Sequence, residues 1–124
     1  MTRFGLDTNV LLAWLFNEGV ETELKDNRYR ISYVVLAETI WVLRSSFRLS
    51  REQLSNAITK ISSNDAFEFD DKSTVLSALG DFEKGQADFP DYLLMRDNQH
   101  AGCTATLTKD KKAARHTGFQ LLEG

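Results

Sequence analysis

Arg3-Phe4-Gly5-Leu6-Asp7-Thr8-Asn9-Val10-Leu11-Leu12-Ala13-Trp14-Leu15-Phe16 is the stretch on which the fold reading turns. Arg3 to Leu6 reads as a strand that ends at Asp7. Thr8 to Phe16 then carries a strongly apolar pattern at helical spacing, and Asn17-Glu18-Gly19 breaks it. A strand that passes into a helix through one acid is the opening of a crossover unit.

The same alternation continues outward. Val20 to Lys25 is expected to add a short helix and Tyr29 to Ser32 a second strand. Val34 to Phe47 reads as a nearly all-apolar, buried helix. Ser50 and Gln53 form a capping box for the next helix, with Leu54, Ala57, Ile58 and Ile61 on its inner face. Ala66 to Phe69 alternates like a strand, with Phe67 and Phe69 on its buried side. Asp70 and Asp71 start a helix whose buried face is Val75, Leu76, Leu79 and Phe82, and Gly85 ends it. Asp88 to Ala101 is a further helix that tolerates Pro90 in its first turn. Cys103 to Leu107 reads as a strand, Lys109 to His116 as a short basic helix and Phe119 to Leu122 as a last strand. Strands that alternate with helices imply an α/β fold with a parallel sheet covered on both faces.

At 124 residues the chain suits one domain over residues 1–124, and no linker or internal repeat divides it. No apolar run approaches the roughly 20 residues of a membrane span. The N-terminus enters an apolar segment at once, without the pattern of a secretory signal, so a cytoplasmic address is expected. Cys103 is the only cysteine, which excludes intrachain disulfides; it is expected to be a buried small residue. The formal net charge of −3 argues against a broad basic face that grips nucleic acid. It is compatible with an enzyme whose own acids hold cations.

Asp7 is the only charged side chain between Phe4 and Phe16, and Glu38 the only one between Ile31 and Leu43. Carboxylates in such apolar sequence are expected to be partly desolvated, which is costly unless they are paired. Asp7 also lies at the carboxyl end of the first strand, where α/β sheets bind ligands. It would equally serve as an N-cap for the helix at Thr8 or Asn9, and Asn9 either caps or orients Asp7. Asp88 and Asp91 share a helix face, Asp88 doubling as an N-cap and Asp91 lying deeper in the helix. Asp110 stands just past the fourth strand among Lys109, Lys111 and Lys112, where a solvated surface charge is the plain alternative. If the fourth strand lies beside the first, Asp7 and Asp110 become neighbours. Two like charges about 5 Å apart repel by roughly 3 kcal/mol at an effective dielectric of about 20. Acids so gathered call for protons or hard divalent cations such as Mg²⁺ or Mn²⁺.

These residues also resemble a known family. Leu6-Asp7-Thr8-Asn9-Val10-Leu11-Leu12 looks like the start of a PIN domain. Val35-Leu36-Ala37-Glu38-Thr39-Ile40-Trp41-Val42-Leu43 is similar to the second acidic motif of that family, and Ala87-Asp88-Phe89-Pro90-Asp91 with Leu93-Leu94 to its third. Thr106-Leu107-Thr108-Lys109-Asp110-Lys111-Lys112-Ala113-Ala114-Arg115 is similar to its fourth. Length and motif order are most like the VapC-type toxins of bacterial toxin–antitoxin modules. The resemblance implies a five-stranded parallel sheet in the order 3-2-1-4-5, Mg²⁺ or Mn²⁺, and endonucleolytic cleavage of RNA leaving 5′-phosphate and 3′-hydroxyl ends, with transfer RNA one candidate substrate and the RNA itself left open. It also implies a homodimer and a small antitoxin that blocks the acidic site. Asp7, Glu38, Asp91 and Asp110 would be the catalytic, metal-holding acids, with Asp88 auxiliary and Asn9 and Thr108 supporting. Substrate phosphates would meet Arg44, Arg48, Lys109, Lys111, Lys112 and Arg115, each of which is otherwise an ordinary solvated charge. Two departures stand out. The stretch between Gly19 and Arg30 is short, which would reduce the helical clip that frames the cleft, and Lys109 stands where an aromatic is common.

Rival readings share the α/β pattern. A phosphoryl-accepting receiver domain needs an acidic pair after the first strand and a mid-chain acceptor, which Asp7 alone and a misplaced Asp70 do not supply. A non-catalytic interaction module of the same fold would be marked by loss of the acids, which here are intact. A nuclease of other nucleic acids would carry the same acids. No glycine-rich phosphate loop or nucleophile elbow is present. His100 and His116 lack metal-ligand spacing and read as surface or helix-end residues, and Trp14 and Trp41 as core or dimer surface.

Overall fold

The computed structural model describes residues 2–17 and 26–123. Its contacts divide the chain into two compact units, Met1–Lys72 and Ser73–Gly124, and each is taken by itself. The expected helix over Val20 to Lys25, and most of the short stretch between Gly19 and Arg30, lie outside the described residues.

The first unit is a run of crossovers. Strand β1 (Arg3–Gly5) leads into helix α1 (Thr8–Leu15), and β2 (Arg28–Arg30) into α2 (Tyr33–Ser45) and α3 (Arg51–Ser62), which return the chain to β3 (Phe67–Glu68). The strands are parallel in the order β1-β2-β3, with Phe4 opposite Tyr29 and Tyr29 opposite Phe67. Asn17 adopts a left-handed conformation (φ 55°) just after α1, so the chain turns where the apolar pattern stops. The capping box at α3 forms as the spacing predicts: the Ser50 hydroxyl accepts from the Gln53 amide and the Gln53 side chain accepts from the Ser50 amide. Leu54, Ile58 and Ile61 of α3 are buried, as are Leu36, Ile40 and Leu43 of α2. Trp14 meets Phe67 edge to face, with ring centres 4.8 Å apart, and the Lys60 ammonium lies over the Trp14 ring.

In the second unit, α4 (Lys72–Lys84, begun at the last residue of the first unit) and α5 (Phe89–His100) precede β4 (Thr106–Thr108), a 3-10 turn (Ala113–Arg115) and β5 (Phe119–Leu121). Strands β4 and β5 are parallel, with Leu107 opposite Gln120. Arg96 of α5 grips Asp81 of α4 through two bonds of 2.7 and 2.8 Å, a forked pairing that locks the two helices in register. Phe82 and Phe89 pack edge to face in the same unit.

Three expectations are corrected. The α/β class holds, but among the described residues the single five-stranded sheet in the order 3-2-1-4-5 does not form; the strands described lie in two parallel sheets, one of three strands and one of two. A sheet exists only where backbones share a ladder, and these ladders serve local crossover partners. The Leu6 amide donates to Arg30 and the Thr106 amide to Gly118. Apolar alternation marks a strand without naming its neighbour. Second, Cys103 neither opens β4 nor is buried. It is exposed because it closes α5: the Cys103 amide donates to Asn98 and the Gly102 amide to Gln99, with Gly102 at φ 95°, the left-handed helix stop. Third, Lys109 to His116 shortens to the 3-10 turn. The Asp110 carboxylate accepts from the Lys112 amide and the Thr108 hydroxyl from the Asp110 amide, which divert groups a helix would use. No helix among the described residues is long and apolar enough to cross a membrane.

Gly118 has φ 93°, and a Cβ there would stand 2.5 Å from the buried Met95 sulfur; Gly102 has a similar φ with open space around it. Gly102→Ala should therefore cost about 1–2 kcal/mol from backbone strain alone, and Gly118→Ala about 1–3 kcal/mol more from the added collision. Urea unfolding of both variants checks this; equal losses would mean that Met95 gives way freely.

Candidate functional site

The backbone amides at a helix start lack partners within the helix, and acids are well suited to supply them. Asp7 does so at α1. Its carboxylate accepts from the Thr8 amide at 2.7 Å, and the Asp7 carbonyl takes the amides of Val10 and Leu11. Thr8 is buried, and its hydroxyl donates to the Glu38 carboxylate of α2. Two acids far apart in sequence thus bond to the same residue. Thr8 escaped the sequence reading, since a threonine after a capping acid looks like an ordinary first-turn residue.

The surroundings of these acids differ from expectation. Asp7 and Glu38 are both exposed, so apolar flanking sequence does not desolvate them. Helix α2 buries Leu36, Thr39, Ile40 and Leu43 and presents Val34, Glu38 and Trp41 on the other side, with Val34 77% and Trp41 54% exposed. The sequence pattern failed here because nearly every position of α2 is apolar, which hides the face that meets water. Asn9 is exposed at the second position of α1. Arg44 and Arg48 are exposed, Arg44 near the end of α2 and Arg48 in the left-handed turn (φ 55°) that leads to α3.

The second unit gathers its own acids. Asp88 is the N-cap of α5, but its side chain makes no capping bond. Asp91 lies in the first turn rather than deeper in the helix, and its carboxylate accepts from the Asp88 backbone amide. Partial withdrawal from water pushes the Asp91 carboxyl up from its ordinary value, and the like charges of Asp88 and Asp110 add to the rise. The Asp88 amide and the His116 ring oppose it. Asp91, Asp88 and Asp110 therefore feel one another across a helix start and a strand end. Asp110 itself is exposed, its carboxylate accepting from the Lys112 amide at 2.9 Å, while Thr108 orients the Asp110 backbone. Lys109, Lys111, Lys112 and Arg115 are exposed along the same turn.

His100 ends α5 in solvent, as read from sequence, but His116 does not behave as a surface residue. It is half-buried, with Nδ1 3.2 Å from the Tyr92 hydroxyl and its ring edge-on to the tyrosine. The hydroxyl also accepts from the Ala87 amide. Only the tyrosine five positions after Ala87 hints at this in sequence, and that spacing carries no signature.

All the acids offer oxygen, the donor chemistry a hard divalent ion prefers. Among the described residues, however, no group of three or more His, Cys, Asp or Glu side chains stands together so as to hold a metal ion. The donor type fits Mg²⁺ or Mn²⁺; a ready-made cage is not built.

Folded Asp91 binds its proton more tightly than the unfolded chain does, so its contribution to stability declines as pH rises from about 3.8 through the raised value. Asp91→Asn, which keeps an acceptor for the Asp88 amide, should raise the urea midpoint near neutral pH. The gain should vanish once pH falls below the ordinary carboxylate range. A gain that persists in acid would assign the effect to something other than the charge.

Against known proteins, no family model matches the chain, and no curated protein matches its sequence.

Proposed function

We propose that the chain is a metal-dependent endoribonuclease that hydrolyses RNA phosphodiester bonds, acting as the toxin of a toxin–antitoxin pair. The observation that carries this reading is the convergence of acids within each unit: Asp7 and Glu38 on Thr8, and Asp88 and Asp110 on Asp91. Around Asp91 the like charges of Asp88 and Asp110 come together and raise its carboxyl, a cost that helix capping alone does not require. Mg²⁺ or Mn²⁺, when bound, would supply Lewis acidity for phosphodiester hydrolysis.

The residues have separable tasks under this reading. Thr8 orients the Glu38 carboxylate, and Asp7 holds a fixed direction because the helix start restrains it. Thr108 fixes the backbone at Asp110. Lys109, Lys111, Lys112 and Arg115 meet substrate phosphates beside Asp110, and Arg44 and Arg48 do so near the end of α2. A small antitoxin and a second copy of the chain belong to the same proposal, with Val34 and Trp41 as apolar surface such partners would cover.

One observation favours a non-catalytic interaction module instead. The carboxylates of Asp7, Asp91 and Asp110 each accept a backbone amide, an employment that local structure by itself would explain. Asparagine caps helices about as well as aspartate, so Asp7→Asn separates the two roles. The nuclease reading expects Asp7→Asn to stay folded by circular dichroism and to lose roughly 100-fold or more in RNA cleavage with Mg²⁺. Full activity in this variant, or cleavage that survives chelation, would remove the proposed mechanism. Thr8→Val, which keeps shape but deletes the hydroxyl, should cost about tenfold in rate, the value of one charge-assisted hydrogen bond. Parallel assays on single-stranded RNA, transfer RNA and DNA define the substrate.

A further inference from the structure

The Tyr92 hydroxyl is a meeting point that the proposed chemistry does not use. It is almost wholly buried, accepts from the Ala87 amide at 3.2 Å and lies 3.2 Å from His116 Nδ1. With one lone pair given to Ala87, the hydroxyl keeps a proton and a second lone pair for the ring nitrogen, so the contact forms whichever way Nδ1 takes part. Gly85 makes room for this arrangement, since a Cβ there would collide with the hydroxyl oxygen.

Each partner of that hydroxyl belongs to an acidic turn. Ala87 precedes Asp88, and Tyr92 follows Asp91. His116 ends a run of backbone bonds that begins at Asp110: the Ala114 amide donates to Asp110, that of Arg115 to Lys112 and that of His116 to Ala113. The hydroxyl is therefore a bonded route from one acidic turn to the other. A phenylalanine at position 92 would fill the same space yet leave both polar neighbours without it.

We propose that His116 is a positioning residue: through the Tyr92 hydroxyl it ties the turn that begins at Asp110 to the first turn of α5, and so sets where Asp88 and Asp91 stand relative to Asp110. Its consequence for catalysis rests on the nuclease reading above; the clasp itself does not.

The test uses the full chain, labelled with ¹⁵N, in three variants: Tyr92→Phe, His116→Ala and His116→Asn. The asparagine side-chain amide offers both a donor and an acceptor to the hydroxyl in place of Nδ1. Tyr92→Phe and His116→Ala should shift the amide signals of Asp88, Asp91 and Asp110 together, and His116→Asn should return them towards their original positions. In RNA cleavage, kcat should fall about tenfold in the first two variants with KM nearly unchanged, because small displacements of reacting groups act on the chemical step. His116→Asn should recover most of that loss. Unmoved amide signals would overturn the clasp, as would failure of His116→Asn to restore them. Moved signals with unchanged kcat, or with a change confined to KM, would overturn the positioning role. If the unaltered protein cuts no RNA, the nuclease reading falls, while the amide signals still decide the clasp.

Discussion

The first amides of a helix must find acceptors outside it, and this chain answers with the hydroxyls of Ser32 and Ser50 and, where its candidate chemistry lies, with carboxylates. Asp7 accepts at the start of α1, Asp91 reaches back to the amide before α5, and Asp110 closes the turn after β4. At Asp7 and Asp110 the crossover pattern dictates where this happens, because a helix or turn follows the carboxyl end of a parallel strand, whereas α5 follows another helix. Acidity and architecture are thus joined. Asp7 and Asp91 are held by bonds at helix starts and Asp110 by the bond that closes its turn, and that restraint orients them.

The same joint use explains why a structural and a chemical account of these acids fit the geometry equally well at first sight. A capping carboxylate needs only one amide and has oxygen to spare. What capping does not explain is company. Glu38 caps nothing, sits mid-helix in α2 and is drawn to Thr8, while the charges of Asp88 and Asp110 bear on Asp91 against their own repulsion.

Much of this was legible in the residues. The strand–acid–helix opening, the capping box at Ser50 and Gln53 and the helix over Asp88 to Ala101 all follow from local rules of period and cap, and the structure agrees to within a residue or two. Partner choice was not legible. Whether β1 and β4 share a ladder depends on tertiary geometry, and three-residue strands leave no register signal to read. The exposure of Glu38 was hidden because α2 is apolar on both sides, so its wet face carries no polar mark. Cys103 was misplaced because the glycine before it ends a helix instead of bending into a strand. The Tyr92–His116 bond spans 24 positions and joins residue types common everywhere, so nothing in the string announces it.

The β4–β5 pair has a further meaning. Two parallel strands of three residues each make too few ladder bonds to persist alone, so their order is lent by Met95 against Gly118 and by the Asn98 amide on the Thr106 hydroxyl. Such a ladder opens at a lower free energy than the helices that brace it. The basic turn between the strands shares this borrowed order, so the place of the lysines beside Asp110 depends on side chains of α5 more than on the ladder itself.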